Sequence, residues 1–187
     1  MRGAAAVLLV SLAVCGGHRE GSAQVFLTQE EALALAFPSP VTIERRTAFL
    51  DEAQLARVRD LAGGGVEVEQ RVVSYYVGRS GTVPVGVAYF DAHTVRTVRE
   101  IVMVVVDPSG AVDRVEVLSF LEPREYMASA RWIEQLYGRA LTDDLAVDRG
   151  IVNLTGATLT AGALTEATRR VLALHQVIRP FEGPSGP

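Results

Sequence analysis

From residue 66 to residue 120 the chain drops helical spacing and alternates, in runs rich in Val, Ile, Tyr and Phe separated by short turns. The runs are 72–77, 83–90, 100–106 and 112–120, with Val66 and Val68 leading in. Gly-Arg-Ser-Gly at 78–81 makes one turn, and Asp107-Pro108-Ser109-Gly110 makes a hairpin of the last two runs. A parallel crossover needs about a dozen residues or more, so strands joined this closely must be largely antiparallel.

Helical spacing frames this sheet on both sides. Thr28-Gln29-Glu30-Glu31 resembles a capping box ahead of a short helix at 32–37, which Pro38 and Pro40 end. A second helix at 51–62 carries Leu55, Val58, Leu61 and Ala62 on one face and stops at Gly63-Gly64-Gly65. Residues 24–65 therefore read as an N-terminal helical segment. Beyond the sheet, 125–137 and 161–174 return to helical spacing, the latter through Leu164, Ala167, Val171 and Leu174. The expected fold class is α+β: an antiparallel sheet packed against helices over residues 66–178, with 179–187 a flexible tail rich in Pro and Gly.

The 187 residues suit one domain with a short leader, and 49% apolar content is enough to fold by burial. All 18 basic residues are arginine, spread along the chain without a stripe, which argues against nucleic-acid binding. The net charge of −4 would favour encounter with a basic partner surface.

Residues 1–23 read as a signal peptide: Arg2, an apolar run at 4–14, then Gly21-Ser22-Ala23 before Gln24. The run is too short to span a ~30 Å hydrocarbon core. Cys15 is the one cysteine, so the domain beyond the leader has neither a disulfide nor a cysteine metal site. Leu12-Ala13-Val14-Cys15 also allows a lipoprotein reading, which Val14 disfavours because a small residue normally precedes the lipidated cysteine. The expected location is periplasmic or otherwise extracytoplasmic.

Most of the chemical information lies in Thr155, Gly156, Ala157, Thr158, Leu159 and Thr160, small and hydroxylated residues that feed the last helix. A helix start presents unpaired N–H groups and the positive end of the dipole, a natural seat for a phosphate. The segment resembles the flavin-attachment motif of the FMN-binding domain family: Asp, two variable residues, Ser or Thr, Gly, Ala, Thr. That family includes the exported flavin subunits of the sodium-pumping NADH:quinone oxidoreductase and of Rnf complexes. The resemblance covers roughly residues 71–174. It takes in the strand at 102–106, the Asp107 to Gly110 turn, the strand at 112–120, Glu122-Pro123, and the helix from Trp132 to Gly138. The position of the leading aspartate holds Val152.

What the resemblance implies is FMN esterified through its phosphate to Thr158, with Glu122 and Pro123 near the ring. It implies an exported electron-transfer carrier more than a stand-alone enzyme. A threonine hydroxyl is a weak nucleophile and no base adjoins Thr158 in the sequence, so a separate flavin transferase would supply base and Mg²⁺. Membrane or exported redox proteins would be the partners in use. The rival expectation is an exported non-redox binding or structural module with a degenerate flavin motif, for which Val152 speaks.

Plainer roles compete at several positions. Thr160 suits a helix N-cap, and Glu122-Pro123 a strand end. Trp132, Tyr126 and Tyr137 read as packing aromatics. His93 and His175 read as isolated histidines, Asp143-Asp144 as a solvated loop, and the Asn153-Leu154-Thr155 sequon as incidental.

Overall fold

A computed structural model describes residues 24–182; the leader with Cys15, and residues 183–187, lie outside the described residues. The elements in chain order are β1 (Gln24–Val25), α1 (Gln29–Ala36), β2 (Thr42–Phe49), α2 (Glu52–Ala62), β3 (Val72–Ser80), β4 (Val83–Val95), β5 (Val98–Val106), β6 (Val112–Phe120), α3 (Ala130–Ile133) and α4 (Thr158–Ile178), with short 3₁₀ turns at Arg124–Tyr126 and Glu134–Leu136. The fold is α+β. Six strands form one sheet in the order β1-β6-β5-β4-β3-β2, every pair antiparallel.

The pleat sends alternate residues to two faces of unequal depth. Tyr75, Val77, Val87, Tyr89, Val102, Val104 and Val115 face α2 and α4 and form the main core. Tyr76, Ala88, Met103 and Val105 face α1 in a smaller core with Leu33 and Phe37. Phe37 lies so close to β3 that a Cβ on Gly78 would sit 2.5 Å from its ring. Among the described residues no helix is long and apolar enough to cross a membrane.

Several elements differ from their sequence reading. Residues 24–65 hold the two expected helices, each opened by a capping box at Thr28 or Asp51, but also the strands β1 and β2. The strand β2 carries Glu44, Arg45 and Arg46 at its centre, and so lacks the apolar alternation of a buried strand. As an edge strand it needs only β3 as neighbour, and its charges discourage further pairing. Val66 and Val68 contribute packing rather than a strand. The hairpin of β4 and β5 runs on to a tight turn at Arg96, where φ is +53°. The single helix expected over 125–137 is broken: Met127 is extended, and Ser129 caps a new start by accepting from Trp132 N–H.

At the C-terminus, α4 begins at Thr158, three residues before the expected 161, and runs to Ile178. Residues 179–182 fold back instead of fraying. Phe181 meets the His175 ring edge-on at 5.5 Å, and the Pro180 carbonyl accepts from Arg46 Nη1. Residues 179–182 are thus held where a flexible tail was expected, because an aromatic side chain finds a buried ring to cover.

Candidate functional site

The helix α4 lies across the main face of the sheet in a direction set by its partners on β4. Arg170 meets Asp91, while Ala163, nearer the helix start, shares a cleft with Thr94. The first turn of α4 therefore lies at the end of the sheet where β4 turns into β5 and where β6 runs out into Glu122 and Pro123. Among the described residues no hydrogen bond or ion pair joins Glu122 or Pro123 to α4. Glu122 is half-buried and Pro123 exposed.

The first turn itself is chemically bare. Unlike α1 and α2, it has no side-chain cap: Ala157 occupies the N-cap. The first rung of the helical ladder is Ala161 N–H to the Ala157 carbonyl, and Ala157 N–H turns back to the Leu154 carbonyl at 2.9 Å. The N–H groups of Thr158, Leu159 and Thr160 are thus the unpaired donors of a helix start. Gly156, at φ +83°, makes the turn into it in a conformation that disfavours a side chain. Thr158 and Thr155 are exposed, and neither hydroxyl bonds to any described residue. Leu159 is 55% exposed. Thr160 is not the cap. Because α4 starts earlier, Thr160 sits within the first turn, buried beside Ala161, and only its backbone N–H could serve an anion.

Just upstream, Val152 takes the place of the resembling motif's aspartate. Its N–H donates to Gln135 Oε1 at 2.9 Å, its carbonyl accepts from Trp132 Nε1 at 2.7 Å, and its side chain is 72% exposed. Trp132, expected as a packing aromatic, both packs and pins this approach to α4.

Beneath the middle of α4 lies a charge network absent from the sequence reading. Arg170 grips Asp91 through two bonds, Nε to Oδ2 at 2.7 Å and Nη2 to Oδ1 at 3.0 Å. His93 lies between Asp91 and Glu100, with both ring nitrogens 2.9 Å from carboxylate oxygens. Burial alone would push the His93 imidazole down, but bonds to Asp91 and Glu100 more than offset it and lift its pKa to about 9. His93 is therefore an imidazolium at neutral pH. Burial likewise opposes the Asp91 carboxylate, yet His93 and Arg170 hold its pKa below the usual range. Glu100 is 1% exposed, and its Oε1 has no partner among the described residues. The signal was present in the hairpin register: Asp91 and His93 share a strand face, and His93 pairs directly with Glu100.

His175 is the opposite case. Buried against Tyr89, whose hydroxyl lies 3.1 Å from Nδ1, it has a pKa pushed down by burial to about 4 and stays neutral.

Concavity alone does not single out the first turn of α4. A cleft of about 960 Å³ opens at the other end of the helix among Arg46, Arg57 and Arg179. Each of those arginines is already paired, with Glu44, Asp60 and Glu182 respectively. No protein-family model matches the chain, and no curated protein matches it.

Proposed function

We propose that this chain is an exported FMN-carrying electron carrier, with the flavin joined by a phosphoester to Thr158. The observation that carries the reading is the first turn of α4. Among the described residues it has three backbone donors without a partner, no side-chain cap, and an exposed threonine hydroxyl without a hydrogen bond, within Thr155-Gly156-Ala157-Thr158. These residues fit a phosphate: the N–H groups of Thr158, Leu159 and Thr160 would face its oxygens, helped by the helix dipole.

When bound, the flavin supplies the redox chemistry; the protein's part is binding, orientation and tuning. Among the described residues none is bonded to Thr158 Oγ1 as a base, so attachment calls for a transferase. That enzyme's base takes the hydroxyl proton, and the threonine oxygen joins the phosphorus of an activated flavin phosphate as its leaving group departs. A covalent link removes dissociation, an advantage for a cofactor working outside the cytoplasm. Membrane or exported redox proteins would be the electron donor and acceptor.

One observation favours a second reading. The exposed side chain at 152 is an apolar valine where the resembling motif has a carboxylate, which speaks for a binding module that has lost its flavin. Intact-mass spectrometry with visible absorbance separates the two, on protein exported from a host containing a flavin transferase. A yellow protein carrying one added FMN, colourless and unmodified as Thr158→Ala, is expected. An unmodified wild type would transfer the assignment to the binding module.

A further inference from the structure

The strand β4 outruns its neighbour β3. Their pairing ends where Tyr75 meets Tyr89, yet β4 continues to Val95, and from Asp91 onward only β5 pairs with it. An interior strand of the sheet thus carries an open edge. Among the described residues no backbone hydrogen bond reaches residues 91–94 from the β3 side, although alternate N–H and C=O groups of a strand point that way.

A cleft of about 420 Å³ lies along this edge. Ala92, His93 and Thr94 line one side, α4 a second at Glu166, and the segment leading into β3 a third at Glu67 and Glu69. With a rise of ~3.3 Å per residue, strands ~4.8 Å apart and sheets ~10 Å thick, that space holds roughly two to three residues of extended chain. The third side is fixed in place. Val68 is buried in the main core, its carbonyl accepts from Arg59 Nε at 2.9 Å, and the Glu67 carbonyl accepts from Arg170 Nη1 at 2.9 Å. The segment therefore stands beside the edge without pairing to it.

The edge is not blunted as the outer edge is. Along β2 the charges of Glu44, Arg45 and Arg46 discourage a further strand, whereas along β4 Asp91 and His93 are engaged with Arg170 and Glu100. Charge selects the occupant. Arg170 and His93 are already matched by the buried carboxylates of Asp91 and Glu100. Glu67, Glu69 and Glu166 are exposed and have no hydrogen bond or ion pair among the described residues. An extended segment in the cleft passes three unmatched carboxylates and no unmatched cation.

We infer that this edge of β4 takes up an extended, arginine- or lysine-bearing peptide segment of a partner protein as an added strand. The backbone of the segment pairs with residues 91–94, and its side chains on the α4 side reach Glu67, Glu69 and Glu166. Backbone pairing supplies affinity, and the three carboxylates supply selectivity. The site is independent of the Thr158 reading and serves a carrier or a binding module alike.

The test titrates a fluorescein-labelled heptapeptide, Thr-Arg-Val-Arg-Val-Arg-Thr, with the full chain and reads anisotropy to about 1 mM protein. Two further peptides replace arginine by glutamate or methylate every peptide nitrogen. The arginine peptide should bind, and each of the other two should bind at least about tenfold more weakly. Glu166→Gln, an exposed exchange that should leave the melting temperature unchanged, should weaken binding about threefold. Hydrogen exchange should slow on binding at amides within residues 91–94. No binding of the arginine peptide would overturn the inference. Equal binding of the methylated peptide would overturn strand addition in favour of charge attraction alone, and equal binding of the glutamate peptide would overturn the acidic selection. Slowed exchange in β2 instead of residues 91–94 would overturn the site by moving the peptide to the outer edge.

Discussion

Val152 is held by its backbone, through Gln135 and Trp132, while its side chain points into solvent. Exchanging that side chain disturbs no packing, so Val152→Asp should change stability by less than ~0.5 kcal/mol. It should also raise the fraction of chain that a flavin transferase modifies, as measured by intact mass. An unchanged fraction would mean that the carboxylate is not what the transferase reads. His93 presents the reverse balance, with a side chain that touches two buried carboxylates. His93→Gln removes the positive charge between Asp91 and Glu100, and breaking a buried pair from one side costs about 3–5 kcal/mol. Urea denaturation at pH 6.5 should show a loss of that order. The sequence reading of His93 as isolated failed because its partners come from register and from α4, not from neighbours in the chain.

Among elements, α4 was legible by its apolar stripe but not by its start. Ala161, Leu164, Ala167, Val171 and Leu174 mark the buried face, whereas Thr158 and Leu159 are exposed and leave no periodic trace. The same substitution made in two elements should have opposite signs. Gly162→Ala adds a methyl to open space inside a helix and should stabilise by up to about 1 kcal/mol. Gly78→Ala drives a methyl into the Phe37 ring that seats α1 on the sheet, and should cost about 1–3 kcal/mol. Thermal unfolding of the two variants beside wild type reads both signs, and a destabilised Gly162→Ala would show that the flank at 162 is not open in solution.

For the whole molecule, a buried histidine, His175, and a half-buried one, His93, set opposite limbs of the stability curve against pH. His175 has its folded pKa lowered to about 4. As pH falls below about 6.5 the unfolded chain takes up a proton that the folded chain refuses, so stability drops toward pH 4, by up to ~3 kcal/mol. His93 has its folded pKa raised to about 9. Its contribution is complete below about 6.5 and is lost as pH rises through 9. Their sum predicts greatest stability near pH 6.5. Urea midpoints measured from pH 4 to 9.5 should fall on both sides, His175→Phe should flatten the acid limb and His93→Gln the alkaline one. A wild-type midpoint flat across that range would contradict both assignments.

Local chemistry determined much of this protein in advance. Alternation and short turns dictated an antiparallel sheet, a capping box placed α1, and an apolar stripe closed by three glycines placed α2, because each signal is carried by residues adjacent in the chain. What only the tertiary structure decided depends on distant residues brought together. β2 is a strand because β3 offers it an edge, and residues 179–182 are ordered by His175 and Arg46. Asp91, His93, Glu100 and Arg170 form one network, and Arg169 ties the end of α2 and the 142–145 turn to α4, because the register of β4 on β5 and the seating of α4 bring them within reach.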